Sequence, residues 1–557
     1  MSEPGAELVF LPLGGVGEIG MNLGLYGFGP PHAKRWLMVD CGITFADQRV
    51  TPGIDLILPD IAFIEEERDD LVGIILTHAH EDHYGALLDL WPRLKAPVFA
   101  TQFTAGLLRA KATENGRKDY PDVRVVAQGA TLNLDPFDVE FVAVSHSIPE
   151  PNALAITTPL GTVVHSGDWK IDHQPGVGTP INLNRFQSLG DSGVLAMMSD
   201  STNAARAGHS PSEHDVAESL KELVKAAPSR VAVTAFSSNV ARIRAIFEAA
   251  VAGDRQVVVM GRAMRRVIGV ATECGFMDGL PMPLSEDDFG HLPRDKVLLL
   301  LTGSQGEDRA ALARIANDDH PRVGLSRGDR VIFSSRTIPG NEKAVNAVVN
   351  GLAQQGIEVV GDQEALVHTS GHPRRDEISE MYKLLRPKVV VPVHGEPMHL
   401  AAQAGLARDA GINTVFVTEN GKMLRLAPEP VEIVDEVLTD ILLLDGRLLR
   451  TPDDARVRER KALSFAGFVA AIVTLDDRYE LDDDPDLVLV GIPTRDDDGE
   501  AFKEALADAV ESAVDSIPRH RRKDPSVVAQ AARRAIRSHM AQRWGKTPMC
   551  HVFVVNC

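Results

Sequence analysis

Directly after the apolar run Leu71–Leu76 the chain reads Thr77-His78-Ala79-His80-Glu81-Asp82-His83 and then passes into a helical pattern over Tyr84–Leu94. Three imidazoles and the carboxylate of Asp82 within six positions constrain the fold more than any other stretch. An extended segment running into a turn can aim alternate side chains at one point and the next pair at another. Imidazole nitrogen and carboxylate oxygen suit borderline divalent ions such as zinc and manganese. One loop can thus serve two metals, provided that the fold gathers further ligands from other strand ends. The plain alternative is a polar surface run. Against it stand His146 after the apolar run Val139–Val144, Asp168 after Thr162–His165 and His394 after Val389–Val393.

That requirement shapes the rest of the reading. With 557 residues, 44% of them hydrophobic, the chain can build two or three cores. Up to about Ser199, short apolar runs such as Trp36–Val39 and Leu71–Leu76 are divided by Gly, Pro and Asp turns and read as strands, with helices at Tyr84–Leu94 and Thr104–Ala112. From Ser212 to Gly361 the rhythm alternates strictly: helix Glu213–Ala226, strand Arg230–Ala235, helix Val240–Ala250, strand Gln256–Met260, helix Ala263–Cys274, strands Val297–Thr302 and Arg330–Ser334, and helix Asn341–Gly351. This is the pattern of an open parallel sheet flanked by helices. Apolar strands return at Val389–Pro392 and Thr414–Val417, so the first domain resumes after an insertion. Beyond the charged stretch 451–461, two strands (Gly467–Thr474, Leu487–Ile492), two helices (Ala501–Ser516, Ser526–Arg543) and a last strand (His551–Val555) predict a small α+β domain.

Composition narrows the function classes. Cys41, Cys274, Cys550 and Cys557 form neither a closely spaced pair nor a dense framework, which argues against a zinc ribbon or a disulfide scaffold. The first residues carry Glu3 and Glu7 where a leader would be basic, and no apolar stretch reaches membrane-spanning length, so a soluble cytoplasmic protein without membrane association is expected. A net charge of -20 opposes general affinity for nucleic acid. Any RNA must be held by a locally basic channel, or by metals and neutral donors.

The order of these motifs resembles the metallo-β-lactamase superfamily. The resemblance implies that His78, His80 and His146 hold one divalent ion, that Asp82, His83 and His394 hold a second, and that Asp168 bridges both. It expects zinc, with manganese or magnesium as alternatives. Asp40, in Met38-Val39-Asp40-Cys41-Gly42, matches the early aspartate that supports such a site from behind; a plain turn aspartate is the other reading. Two ions about 3.5–4 Å apart would activate a hydroxide for attack on phosphorus. The metal site alone does not separate phosphodiesters from lactams, thioesters or lactones.

The α/β insertion before the last ligand resembles the β-CASP branch, which acts on nucleic acids. Local matches look like the ribonuclease J family: Leu13-Gly14-Gly15-Val16-Gly17-Glu18-Ile19-Gly20, Ser199-Asp200-Ser201-Thr202-Asn203, Thr302-Gly303-Ser304-Gln305-Gly306-Glu307, Ser334-Ser335-Arg336-Thr337-Ile338-Pro339-Gly340-Asn341-Glu342 and His368-Thr369-Ser370-Gly371-His372, spread over Glu7–Met423. The family implies that His372 contacts the scissile phosphate and serves, with Asp82 and Asp168, in catalysis. It implies a 5′-monophosphate pocket of Ser238, Asn239 and Ser370, with Asp200 as a supporting residue; Arg262 could pair with phosphate or simply belong to the surface. An ordinary helix cap is the alternative at Ser238 and Asn239. His368 is as readily structural as ligand-contacting. Ala263 stands where the family usually has serine, so a hydroxyl is lost there. Basic clusters at Arg262–Arg266, Arg519–Lys523 and Arg533–Arg537 could line an RNA path or be merely solvated faces.

The expected architecture is therefore an α/β chain: a metallo-β-lactamase αββα sandwich (1–211 and 365–450), an inserted β-CASP parallel α/β domain (212–364), a linker (451–461) and a C-terminal α+β domain (462–557). The expected activity is a metal-dependent ribonuclease acting 5′ to 3′ from a monophosphorylated end of single-stranded RNA, with some internal cleavage, in RNA decay and in rRNA and mRNA maturation. By analogy, the C-terminal domain would form a homodimer or a dimer of dimers, and other RNA-decay proteins could attend it. Rival readings are an ester or lactone hydrolase, a non-catalytic RNA scaffold, and a β-CASP enzyme that processes DNA.

Overall fold

The computed structural model of the protein describes residues 5–48, 50–338, 340–454 and 456–557. Glu3, Pro339 of the Ser334–Glu342 motif and Ala455 of the expected linker lie outside the described residues. The chain divides into two compact units, one of residues up to 44 with 58–441 and the other of 45–57 with 442–557.

In the larger unit two sheets pack face to face. One runs in the order Glu432–Glu436, Lys422–Ala427, Glu7–Gly14, Leu23–Gly29, Arg35–Val39, Leu71–Ile75, Val98–Ala100, Val123–Val125. The other runs Thr414–Val415, Val389–Val393, Ala196–Asp200, Gly161–His165, Asn152–Thr158, Phe137–Ala143, Thr131–Leu134. Phe10, Tyr26 and Leu37 from the first sheet meet Phe141, Leu154 and Val391 from the second in a shared buried core. The second sheet's outer face is covered by helices Leu183–Ser192, Arg375–Leu385 and Pro397–Asp409 through Phe186, Tyr382 and Leu406. Since strands covered on both faces have no wet side, runs such as Val389–Val393 are apolar throughout.

The expected helix Tyr84–Leu94 is split into Glu81–Tyr84 and Leu87–Leu94. The backbone between them turns aside so that Ala86 N–H donates to the Cys41 carbonyl at 3.0 Å. A Cβ on Gly85 would lie 2.7 Å from Ile43 Cγ1, so only glycine permits this approach.

The insertion is a five-stranded, wholly parallel sheet in the order Gln256–Met260, Val297–Leu301, Val231–Thr234, Arg330–Phe333, Glu358–Val360. Helices Glu213–Ala226, Val240–Ala252, Arg262–Glu273 and Glu342–Gln354 alternate with the strands. Every strand's carboxyl end faces the same edge, where ligands of open α/β sheets bind.

In the smaller unit strand Phe468–Leu475 lies between Asp486–Val490 and Met549–Asn556, and helices Phe502–Asp515 and Pro525–Arg543 bury Leu506, Val510, Ile536 and Met540 against one face. The stretch 451–461 runs into a further helix, Val457–Ala466, held by a forked ion pair between Arg460 and Asp445. The opposite face of the sheet leaves Ile472, Val488, Val490, Phe553 and Val555 exposed.

Candidate metal centre

Loops after strand ends deliver His78, His146, Asp168 and His394, helix Glu81–Tyr84 adds Asp82 and His83 with His80 at its N-cap, and the seven candidate ligands form two groups. One ligand atom each from His78, His80, His146 and Asp168 lie within 4.8 Å of one another, and so do those of Asp82, His83, Asp168 and His394. Asp168 belongs to both. A third such group joins Asp168 and His394 with Asp200 and His372.

The supporting contacts fix which ring nitrogen faces the centre. Asp40 is buried; its Oδ1 accepts from Thr77 N–H (2.8 Å) and its Oδ2 from the Thr77 hydroxyl (2.9 Å) and from His83 Nδ1 (2.7 Å). With its proton committed to Asp40, Thr77 Oγ1 accepts from His78 Nδ1 at 2.9 Å. His146 Nδ1 donates to the Gly371 carbonyl at 2.6 Å. All three rings are thereby left with Nε2 lone pairs turned inward. His78 Nε2 and His146 Nε2 both approach His80 Nδ1, at 3.1 and 2.9 Å.

Two glycines make this close packing feasible. A Cβ on Gly42 would sit 1.7 Å from the Asp82 carbonyl, and one on Gly371 would sit 2.4 Å from His146 Nδ1. His394 is held in the left-handed region (φ 52°), its N–H donating to the Gly15 carbonyl at 2.8 Å, so the glycine-rich loop after the first strand anchors the last ligand.

The electrostatics follow from this geometry. Withdrawal from water drives His78 and His80 well below the ordinary imidazole range, helped by the rings of His83 and His146 respectively, and it lowers His146 to about 4. Burial also opposes charge on His83 and His394, but Asp168 overrides it and raises both. Burial would raise Asp168; His394, His83 and His372 hold it well below the carboxylate range instead. Asp168 Oδ2 is buried, has no hydrogen-bond partner among the described residues, and lies 3.2 Å from both His83 Nε2 and His394 Nε2. An orphaned carboxylate oxygen encircled by imidazole nitrogens is a donor set that fits divalent cations of the zinc type.

Beside the two groups stands His372, whose side chain is 20% exposed and whose Nδ1 contacts Asp200 Oδ2 at 2.8 Å. Burial lowers its affinity for a proton, yet Asp200 and Asp168 raise its pKa to about 9. Ser370 Oγ accepts from Asn203 Nδ2 at 2.8 Å, which leaves its own proton to donate elsewhere. Ser238 is half-buried at the start of helix Val240–Ala252. Asn239 is buried, its Oδ1 capping that helix at Arg242 N–H and its Nδ2 reaching Glu213. Arg262 is exposed at the start of its own helix. His368 meets neither metal group.

Thr77, Asn203 and the Arg242–Glu213 pair were not singled out as site residues. Thr77 and Asn203 lie inside motifs read from the sequence, whereas nothing local marks Arg242. Its guanidinium is fully buried, forked onto Glu213, and donates to the carbonyls of Ser334 and Val367, so it ties the insertion to the segment leading into His368–His372.

Comparison with known proteins gives four family matches. Residues 25–238 match the metallo-beta-lactamase superfamily, 228–352 the beta-CASP domain of ribonuclease J, 356–417 the Zn-dependent metallo-hydrolase RNA specificity domain, and 455–557 the ribonuclease J C-terminal domain. A ribonuclease J from Sinorhizobium meliloti is 55% identical over 99% of this chain and 97% of its own length. One from Mycolicibacterium smegmatis is 38% identical over 96% and 95%, and one from Corynebacterium glutamicum 36% identical over 98% and 75%. A solved protein of unknown function from Enterococcus faecalis shares the fold, with a TM-score of 0.52 at 15% identity, over 75% of this chain and 100% of its own.

Proposed function

Because this chain belongs to the ribonuclease J family and is a metallo-hydrolase acting on RNA, we propose that it degrades single-stranded RNA 5′ to 3′ from a monophosphorylated end, with some internal cleavage, in the decay and maturation of transcripts. The observation that carries this reading is the sharing of Asp168 by two groups of ligand atoms next to a cationic His372.

In this reading His78, His80 and His146 would hold one ion and Asp82, His83 and His394 the other, with Asp168 common to both groups; zinc would suit the donors best, and manganese or magnesium are the alternatives. When bound, such a pair lowers the pKa of a water and neutralises charge developing on the phosphate. Asp40 and Thr77 keep the protons of His83 and His78 on Nδ1, which keeps each Nε2 free as a ligand. His372 keeps one proton on Nδ1 towards Asp200 and offers the other from Nε2, either to a non-bridging phosphate oxygen or to the departing 3′ oxygen. Ser370 donates its hydroxyl proton to a phosphate oxygen. Ser238, with the amino-terminal N–H groups of helix Val240–Ala252, receives the 5′-monophosphate. Asn239 shapes that turn, and Arg262 adds a cationic contact.

The exposed apolar sheet face of the smaller unit supports a homodimer, or a dimer of dimers, through the C-terminal domain. A cytoplasmic site of action is part of the same proposal. Among the described residues no helix is long and apolar enough to cross a membrane.

The test is a time course on RNA labelled at either end and carrying a 5′-monophosphate or 5′-triphosphate. Release of labelled mononucleotide from the monophosphorylated 5′ end, lost on chelation and in His80→Ala, is expected. Equal rates on both 5′ ends, with internal fragments only, would overturn the 5′-to-3′ reading.

A further inference from the structure

At the carboxyl ends of strands Gln256–Met260 and Val297–Leu301 lies a cleft of about 770 Å³ with an unusual charge. Five arginines (262, 265, 266, 309 and 314) and two glutamates (114 and 286) line it, in a protein whose net charge is -20. Three of the arginines have partners that hold them in place. Arg265 reaches Glu286 and the Val259 carbonyl, Arg266 pairs with Glu114, and Arg314 reaches Asp319. Arg262 and Arg309 are exposed and make no side-chain hydrogen bond or ion pair among the described residues. Helix Arg262–Glu273 begins at this cleft without a side-chain cap, so its first N–H groups are open to an acceptor.

We propose that this cleft is a second phosphate-backbone site for single-stranded RNA, which shares Arg262 with the 5′-phosphate contacts proposed above and adds Arg309 and Arg314 beyond them. With the net charge of the chain at -20, a concave patch with a surplus of arginine is a place where a polyanion can be held. The distance from the proposed 5′-monophosphate pocket follows from sheet order. Strand Gln256–Met260 is two strands away from Val231–Thr234, after which Ser238 comes, so the cleft lies roughly 10 Å further along the same sheet edge. The inference rests on the ribonuclease reading for its ligand, and it adds a length requirement: substrates too short to span both places gain nothing from the cleft.

The test compares the wild-type chain with Arg309→Ala/Arg314→Ala and with Arg309→Glu alone, a substitution at an exposed position that does not threaten folding. Turnover of a 5′-phosphorylated dinucleotide is expected to be unchanged. Binding of a long single strand, followed by fluorescence anisotropy in the cleavage-deficient His80→Ala background, is expected to weaken, and the slope of log affinity against log salt to flatten by about 1.4 for two lost contacts in the double variant. An unchanged slope and affinity would overturn the proposal. So would a matching fall in dinucleotide turnover, because the cleft would then be part of the reaction centre. Absence of any wild-type turnover would speak against the proposed activity, and the anisotropy measurement would still decide the cleft.

Discussion

Asp40→Asn is the substitution with the most definite consequence. Asp40 Oδ2 accepts two protons, from Thr77 Oγ1 and His83 Nδ1, while Oδ1 accepts one from Thr77 N–H. An amide has one acceptor oxygen. If it faces Thr77 N–H, its NH2 group meets the other two donors, and His83 must either rotate or move its proton to Nε2; both remove the lone pair from the cation. The backbone is not at risk: Asp40 sits at φ 64°, where asparagine is tolerated, whereas alanine would add strain of about 1–2 kcal/mol. Loss of such a supporting partner typically costs 10–100-fold in metal affinity, about 1.4–2.7 kcal/mol. Competition against a chromophoric zinc chelator should resolve one ion weakened by that factor, the one held by Asp82, His83 and His394. Ribonuclease activity should fall with it and recover at high metal concentration. Wild-type affinity for both ions in D40N would refute the orienting role of Asp40.

Three further outcomes are expected. His372→Gln should lower turnover by about 10²–10⁴-fold while both metals stay bound, measured by metal content beside steady-state rates. Arg242→Met alone should destabilise by about 3–5 kcal/mol, because it strands a buried Glu213, and pairing it with Glu213→Leu should recover most of the loss in thermal unfolding. Burial, then Arg242 and Arg336, push His368 down to about 3, so its neutral ring contributes stability that is complete above the unfolded value near 6.5 and declines as pH falls towards about 3. Urea midpoints at pH 7 and pH 4.5 should therefore differ by less in His368→Gln than in the wild type, by up to about 2–3 kcal/mol.

What could be read from the sequence was whatever its local pattern determines. The insertion's elements are the clearest case: helix Glu213–Ala226 and strand Gln256–Met260 fall where the apolar periodicity puts them, since a parallel strand covered on both faces and an amphipathic helix each leave a distinct signature. The split at Gly85 was not legible, because its cause is a carbonyl in another segment, Cys41. The ligand residues were visible as polar groups at strand ends, but their division into two sets came from family resemblance and not from spacing. The sequence left Ser238 and Asn239 between an anion pocket and a helix cap; the side chain of Asn239 is engaged as a cap, and that of Ser238 is not.

The least legible feature is also the one that ties the inserted domain to the segments around the candidate site. The chain leaves the sandwich near Ser212 and returns near Val367, and both crossings are tied to the loop that follows Asp168. Asp172 accepts from Lys170 Nζ, the Ser212 hydroxyl and Glu213 N–H. Glu377, fully buried, accepts from the backbone N–H groups of Ile171, Ser210 and Arg374. A carboxylate with three donors is costly to move, since each bond broken inside a dry interior leaves an unpaired group. These two knots and the Arg242–Glu213 pair therefore hold the loop after Asp168, the start of the insertion and the Ser370–His372 segment in one fixed relation. The contacts that join the crossings, from Asp172 to Ser212 and Glu213 and from Glu377 to Ile171 and Ser210, reach across some 40 to 206 positions, so no local pattern announces them. The insertion, about 150 residues long, is thereby joined at both of its ends to the loop after Asp168.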